Sequence, residues 1–147
     1  MSGTSFTFNA MAQSEALAIS ADEAWLYVAF QSPLDHADES ASSRHARIWK
    51  IDAATGAVAA QFVYPFDVPR SFARDLAAGE VQARDLKVSE AVCIGPDRLL
   101  VLERISQTSK LYLVDLVGPG APAHHLGLAT RPALEELEPE DMAGAGV

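Results

Sequence analysis

The chain has 147 residues, 49% of them apolar, and a formal net charge of −9. That is one domain's worth of chain with ample material for a core. Its 11 Lys and Arg are scattered against 20 Asp and Glu, which disfavours nucleic-acid backbones and anionic membrane surfaces as partners. Cys93 is the only cysteine, so neither an internal disulfide nor a Cys-based metal site can form. It lies in an apolar run and reads as a small buried residue.

Residues 1–13 read as an N-terminal extension. "MSGTSFTFNAMAQ" has no basic stretch followed by an apolar one, so it does not read as a secretory signal. No apolar run reaches the roughly 18 residues of a membrane span.

From Ser14 the chain begins a unit that recurs. "SEALAIS" (14–20) returns as "SEAVCIG" (89–95), each followed by a short polar turn around Asp22 or Asp97 and then an apolar run. The runs "WLYVAF" (25–30) and "LLVLE" (99–103) have strand composition. Skipping two residues in the first copy aligns Leu26 with Leu99 and Val28 with Val101. "RIWKID" (47–52) then matches "KLYLVD" (110–115): basic, aliphatic, aromatic, variable, aliphatic, Asp. Ile48 and Lys50 fall on one face of that strand, Trp49 and Ile51 on the other. Turn signals follow at Asp52–Gly56 and Gly118–Gly120, then fourth strands at 57–66 and, more weakly, at 123–129.

Each unit therefore reads as a four-stranded antiparallel meander of about 40 to 50 residues, the size of a β-propeller blade. The expected fold is all-β: antiparallel four-stranded blades of a β-propeller, about two of them, forming a partial propeller. A β-sandwich and an open two-sheet structure are the alternatives. The domain limits are an extension at 1–13, a first blade-like repeat at 14–66, a connector at 67–88, a second repeat at 89–129 and an acidic tail at 130–147. Two stretches lie outside the repeat. One is the polar insertion 32–46. The other is the connector, where "SFARDLAAGEVQARDL" suits a short helix or a charged loop. The tail should form one helical turn at Leu134–Leu137 and fray. Propellers close with at least about four blades. Two blades would leave open apolar faces, covered either by the rest of a longer propeller or by self-association.

The ordered segments "EALAI" (15–19), "LYVAFQSPL" (26–34), "IDAATGAV" (51–58), "YPFD" (64–67), "RLLVLER" (98–104) and "LYLVDL" (111–116) resemble the phytase-like family, described as esterase-like activity of phytase. The resemblance covers roughly residues 12 to 117. The family's glycine after the first glutamate is Ala16 here, and the glycines of the two turns are replaced by Glu23 and Arg98. The resemblance implies a propeller of several blades, often in exported bacterial proteins. It also implies hydrolysis of a small phosphoester or ester substrate, with metal assistance.

Four residues are candidates for that chemistry. Glu15 and Glu90 head the innermost strands, where carboxylates from successive blades could converge on Ca²⁺; their other reading is as staples between blades. Glu103 and Arg104 are not repeated in the first unit, which has Phe30 and Gln31 there. Facing a channel, Glu103 would act as base or metal ligand and Arg104 would hold a phosphate bidentately. Asp35–Glu39, His45, His124 and His125 read as solvated or strand residues, and Asp22, Asp52, Asp97 and Asp115 as turn residues. No G-x-S-x-G, P-loop, G-x-G-x-x-G, H-E-x-x-H or C-x-x-C motif is present. The competing function is a non-catalytic propeller module that binds a ligand or a protein.

Overall fold

The computed structural model describes residues 14–34, 42–118, 120, 121, 130–137 and 141; Ser14 and Glu15 are described in their backbone only. The expected fourth strand at 123–129 with His124 and His125, and the centre of the insertion, lie outside these residues.

The fold is all-β, a partial propeller-like arrangement of two antiparallel sheets. Sheet A has the order β1 (Ser14–Ile19), β2 (Trp25–Phe30), β3 (His45–Asp52), β4 (Val58–Pro65). Sheet B has the order β5 (Lys87–Gly95), β6 (Arg98–Arg104), β7 (Ser109–Asp115). Both are meanders whose links are short and polar, except that the longer insertion joins β2 to β3. The connector holds a 3-10 turn at Pro69–Ser71, a one-and-a-half-turn helix α1 (Ala73–Ala78) and a second 3-10 turn at Ala83–Asp85.

The matched second and third strands pair in the same register. Leu26 lies opposite Ile51 as Leu99 lies opposite Val114, and Trp25 opposite Asp52 as Arg98 opposite Asp115. The first strands differ by one residue: Ile19 faces Leu26, whereas Leu99 faces Cys93, with a bulge between Cys93 and Gly95. Each first strand also carries a bulge beside its glutamate, between Ser14 and Ala16 and between Val88 and Glu90.

The sheets pack face to face, β1 lying against β5. Ala16, Ala18, Tyr27, Ala29, Ile48 and Tyr64 of sheet A meet Val88, Ala91, Leu99 and Val101 of sheet B, with Phe66 just after β4 and Phe72 and Leu86 of the connector sealing the cluster. Each fully buried large side chain in it contributes about 1.5–3 kcal/mol. Matched residues of the second and third strands sit on opposite sides of their sheets. Leu99 and Val101 point at sheet A, while Leu26 and Val28 point away from sheet B. Cys93 is half-buried rather than buried, its Sγ bonding the Gly95 carbonyl at 3.2 Å.

The tail corrects an expectation. Ala133, Leu134, Glu135 and Leu137 are buried, because the segment lies on the outer face of sheet A with Ala121 and Val63 in a second, smaller apolar cluster. The helical turn expected there is a 3-10 turn at Leu134–Glu136. It does not fray because Glu135 is held by Arg47. Gly120 allows the crossing onto sheet A: its φ is +74°, and a Cβ there would stand 2.6 Å from the Gln61 carbonyl, to which Ala121 donates at 2.5 Å.

Candidate functional site

Glu103 and Arg104 are consecutive in β6, so the strand sends them to opposite faces. Glu103 points into the sheet interface and is 0% exposed. Its carboxylate accepts the Tyr64 hydroxyl at 3.1 Å and the Asp67 amide at 3.2 and 3.3 Å. Burial pushes its pKa above the ordinary glutamate value, against the lowering effect of those two donors. Next to it, Asp67 Oδ2 accepts Lys110 Nζ at 2.5 Å, Ser71 Oγ at 2.7 Å and Tyr112 hydroxyl at 2.7 Å. Burial would raise the Asp67 pKa, but these donors hold it well below the carboxylate range. Burial and the carboxylates they bond push both tyrosines above theirs. Lys110 also stands 3.9 Å over the Phe72 ring. The network is saturated. It fastens the end of β4 and the start of the connector to sheet B, with Glu103 buried inside it.

Arg104 is exposed, bonded through Nε to Ser89 Oγ at 2.5 Å. It lines a groove of about 540 Å³ between the connector and the β6–β7 turn, together with Arg84, Lys87, Asp75, Glu80 and Asp85. Arg84 and Arg104 have no carboxylate partner among the described residues, whereas Arg47, Lys50, Arg98 and Lys110 each hold one. The groove's own carboxylates are engaged by neutral groups. Asp75 Oδ1 accepts the Gln107 amide at 2.7 Å, Asp85 Oδ2 the Gln82 amide at 2.8 Å, and Glu80 the Gln82 side chain at 3.3 Å. Asp75 is buried, which raises its pKa. The nearby Thr108 hydroxyl and the amides of Gln107 and Ser106 bring it to a net lowering, although the buried Oδ2 itself makes no hydrogen bond. Sequence reading found Arg104 but not its setting, because Arg84 and Lys87 carry no motif and reach the groove only through the fold of the connector.

A second cleft, of about 270 Å³, opens where the two matched turns meet, lined by Trp25, Tyr27, Lys50, Pro96 and Asp97. Asp97 has a φ of +50° and takes Lys50 Nζ at 2.6 Å and the Tyr27 hydroxyl at 2.9 Å. Burial raises its pKa, and the two donors bring it below the usual value. Lys50 lies 4.4 Å from the centre of the Trp25 ring. Asp97 is thus both a turn residue and a tie between the sheets. Asp22 and Asp52 serve their own turns through Ser20, Ala24, Ala54 and Thr55. Asp115 ends β7 paired with Arg98. His45, expected to be exposed, is half-buried within β3.

Glu90 is exposed beside its bulge, and its Oε1 accepts the neighbouring Ala91 amide at 3.2 Å. The Glu15 side chain lies outside what is described. Calcium takes six to eight oxygens, and among the described residues no group of three or more His, Cys, Asp or Glu could hold a metal.

No curated protein and no solved structure matches the chain. A family model, phytase-like, described as esterase-like activity of phytase, matches residues 9–144. With nearly the whole length matched, the chain belongs to the phytase-like family.

Proposed function

We propose that the chain binds a small phosphoester or ester with an anionic group in the groove beside Arg104, and that hydrolysis of that ester is the activity of the domain. The observation that carries this reading is the pair of guanidiniums, Arg84 and Arg104, lining one groove without a carboxylate partner among the described residues of a protein with net charge −9. Guanidinium matches the geometry of phosphate oxygens and keeps its charge at all working pH values. Hydrolysis rests on the family's description, and calcium assistance remains part of the proposal although the described carboxylates assemble no site for it.

One observation favours a second reading, a non-catalytic binding module. Glu103, the carboxylate nearest Arg104 in sequence, is committed to Tyr64 and Asp67 on the far face of β6, so the two cannot act on one ligand.

Calorimetric titration of inorganic phosphate, with turnover of p-nitrophenyl phosphate followed with and without calcium, separates the readings. Binding weakened at least about tenfold by Arg104→Ala, the loss of a charge-assisted hydrogen bond, together with release of p-nitrophenol, supports the hydrolase. The same binding without turnover supports the module. Equal titrations of wild type and variant overturn the site.

A further inference from the structure

The Lys50 ammonium is drawn onto the protein. Its Nζ lies 2.6 Å from Asp97 Oδ1 and 4.4 Å from the centre of the Trp25 ring, and the side chain is 16% exposed. These three residues, with Tyr27, Pro96 and Asp22, line the cleft of about 270 Å³ between the matched turns. The cleft and the groove beside Arg104 lie at opposite ends of β6, since Asp97 precedes that strand and Arg104 closes it. Their charge differs too. The groove brings three cations to three carboxylates, whereas the cleft has two carboxylates to one ammonium.

Both cleft carboxylates have capacity for a ligand. The Ser20 hydroxyl and the Ala24 amide reach Asp22 at Oδ1, and the Tyr27 hydroxyl and Lys50 reach Asp97 at Oδ1. A carboxylate offers about four acceptor sites, so the Oδ2 of each can take a further donor. The Ser20 bond lowers the Asp22 pKa; at Asp97 burial raises it, but Lys50 and Tyr27 outweigh burial. Both groups are therefore charged at neutral pH. The turns that carry them hold Glu23 at a φ of +58° and Asp97 at +50°, and backbone of this kind collects at ligand sites.

We propose that this cleft binds a small arylalkylammonium ion, which takes the place now held by the Lys50 ammonium. An aromatic face beside a carboxylate recognises ammonium groups, and Lys50 shows that this one holds such a group. An anion would instead meet two carboxylates in a chain of net charge −9. Exchange of one ammonium for another on the same ring and carboxylate is close to neutral, because the ligand gains the contacts that Lys50 loses. Net affinity then comes from the ligand's body against Trp25 and Pro96, in proportion to the apolar area buried. A cleft of this volume is smaller than a drug-sized site and suits one ring on a short chain. Tyr27 keeps its bond to Asp97, and with it the tie between the sheets, when Lys50 leaves.

Calorimetric titration of phenethylammonium into the full chain, with the Trp25 indole signal followed by NMR, tests this against methylammonium and phenylacetate. Phenethylammonium should bind and move that signal. Methylammonium, which has no body to bury, should bind at least about tenfold more weakly, and phenylacetate should not bind. Lys50→Met keeps an unbranched stem but removes the competing charge, and should tighten phenethylammonium about tenfold or more. Asp97→Asn should weaken it by a similar factor, as loss of a charge-assisted hydrogen bond does. If Asp97→Asn does not fold, Lys50→Met decides. Equal affinities in wild type and Lys50→Met overturn the proposal, as do equal titrations of phenethylammonium and phenylacetate, or no binding of phenethylammonium to either protein.

Discussion

Among the described residues, sheet A is covered on both faces and sheet B on one. The inner face of sheet A packs on sheet B, and its outer face carries the tail, with Val28, Phe30, Ile51 and Gln61 buried there. The outer face of sheet B is a block formed by Val92, Leu100, Leu102, Leu111 and Leu113, bounded by the Arg98–Asp115 pair at one end and by Arg104 with Ser89 at the other. Both sheets are rich in aliphatic residues on both sides, so composition did not decide which face would be covered. The difference comes from what the following chain delivers: a connector with Asp67 for one sheet, a tail with Glu135 for the other.

The sharpest way to break the comparison is to remove in turn the cations that hold these two acids. Arg47→Ala leaves Glu135 buried and unpaired and should cost about 3–5 kcal/mol in urea unfolding. Lys110→Ala, whose ion pair is partly solvated, should cost about 1 kcal/mol or less. Equal losses would mean that the two ion pairs hold alike. Gly120→Ala puts a Cβ against the Gln61 carbonyl at positive φ and should cost about 1–3 kcal/mol. Gly79→Ala meets nothing within 4 Å and should leave the midpoint unchanged or slightly raised.

The network on the inner face of sheet B should show in the pH dependence. Glu103 has a raised pKa, so its ionised form costs stability at neutral pH, and that stability returns as the pH falls toward the ordinary glutamate value of about 4.3. Asp67 has a lowered pKa; its contribution is present above about 3.9 and is lost as the pH falls below it. Urea midpoints should therefore rise from pH 7 toward about 5 and fall below about 4, with Glu103→Gln flattening the rise. The smallest effect belongs to the bare face. Leu113→Lys should change stability by no more than about 0.5 kcal/mol while lowering the binding of a hydrophobic dye.

Much of this was legible in the chain. The strands announce themselves through "WLYVAF" and "RIWKID", whose alternation matches the observed faces of Ile48 and Trp49, and the turns through Asp22 and Asp52. The tail was misread because its residues are acidic and near the end. Glu135 is buried only because Arg47, 88 positions away, waits in an apolar face, and no local pattern encodes that. Glu103 stood out for being unrepeated, but non-repetition did not reveal that it would bond Tyr64 and Asp67 in the sheet interface. Arg104 stands in a groove built by a connector whose path periodicity does not give.

The opposite facing of Leu26 and Leu99 bears on assembly polarity. Because matched positions lie on opposite sides of successive sheets, sheet A meets sheet B front to back, and the outer face of sheet B corresponds to the inner face of sheet A. A front-to-back contact is directional and does not terminate itself: repeated, it generates a ring or a filament. Among the described residues the back of sheet A carries the tail, so in this pair of sheets the front-to-back polarity leaves the outer face of sheet B as the exposed one.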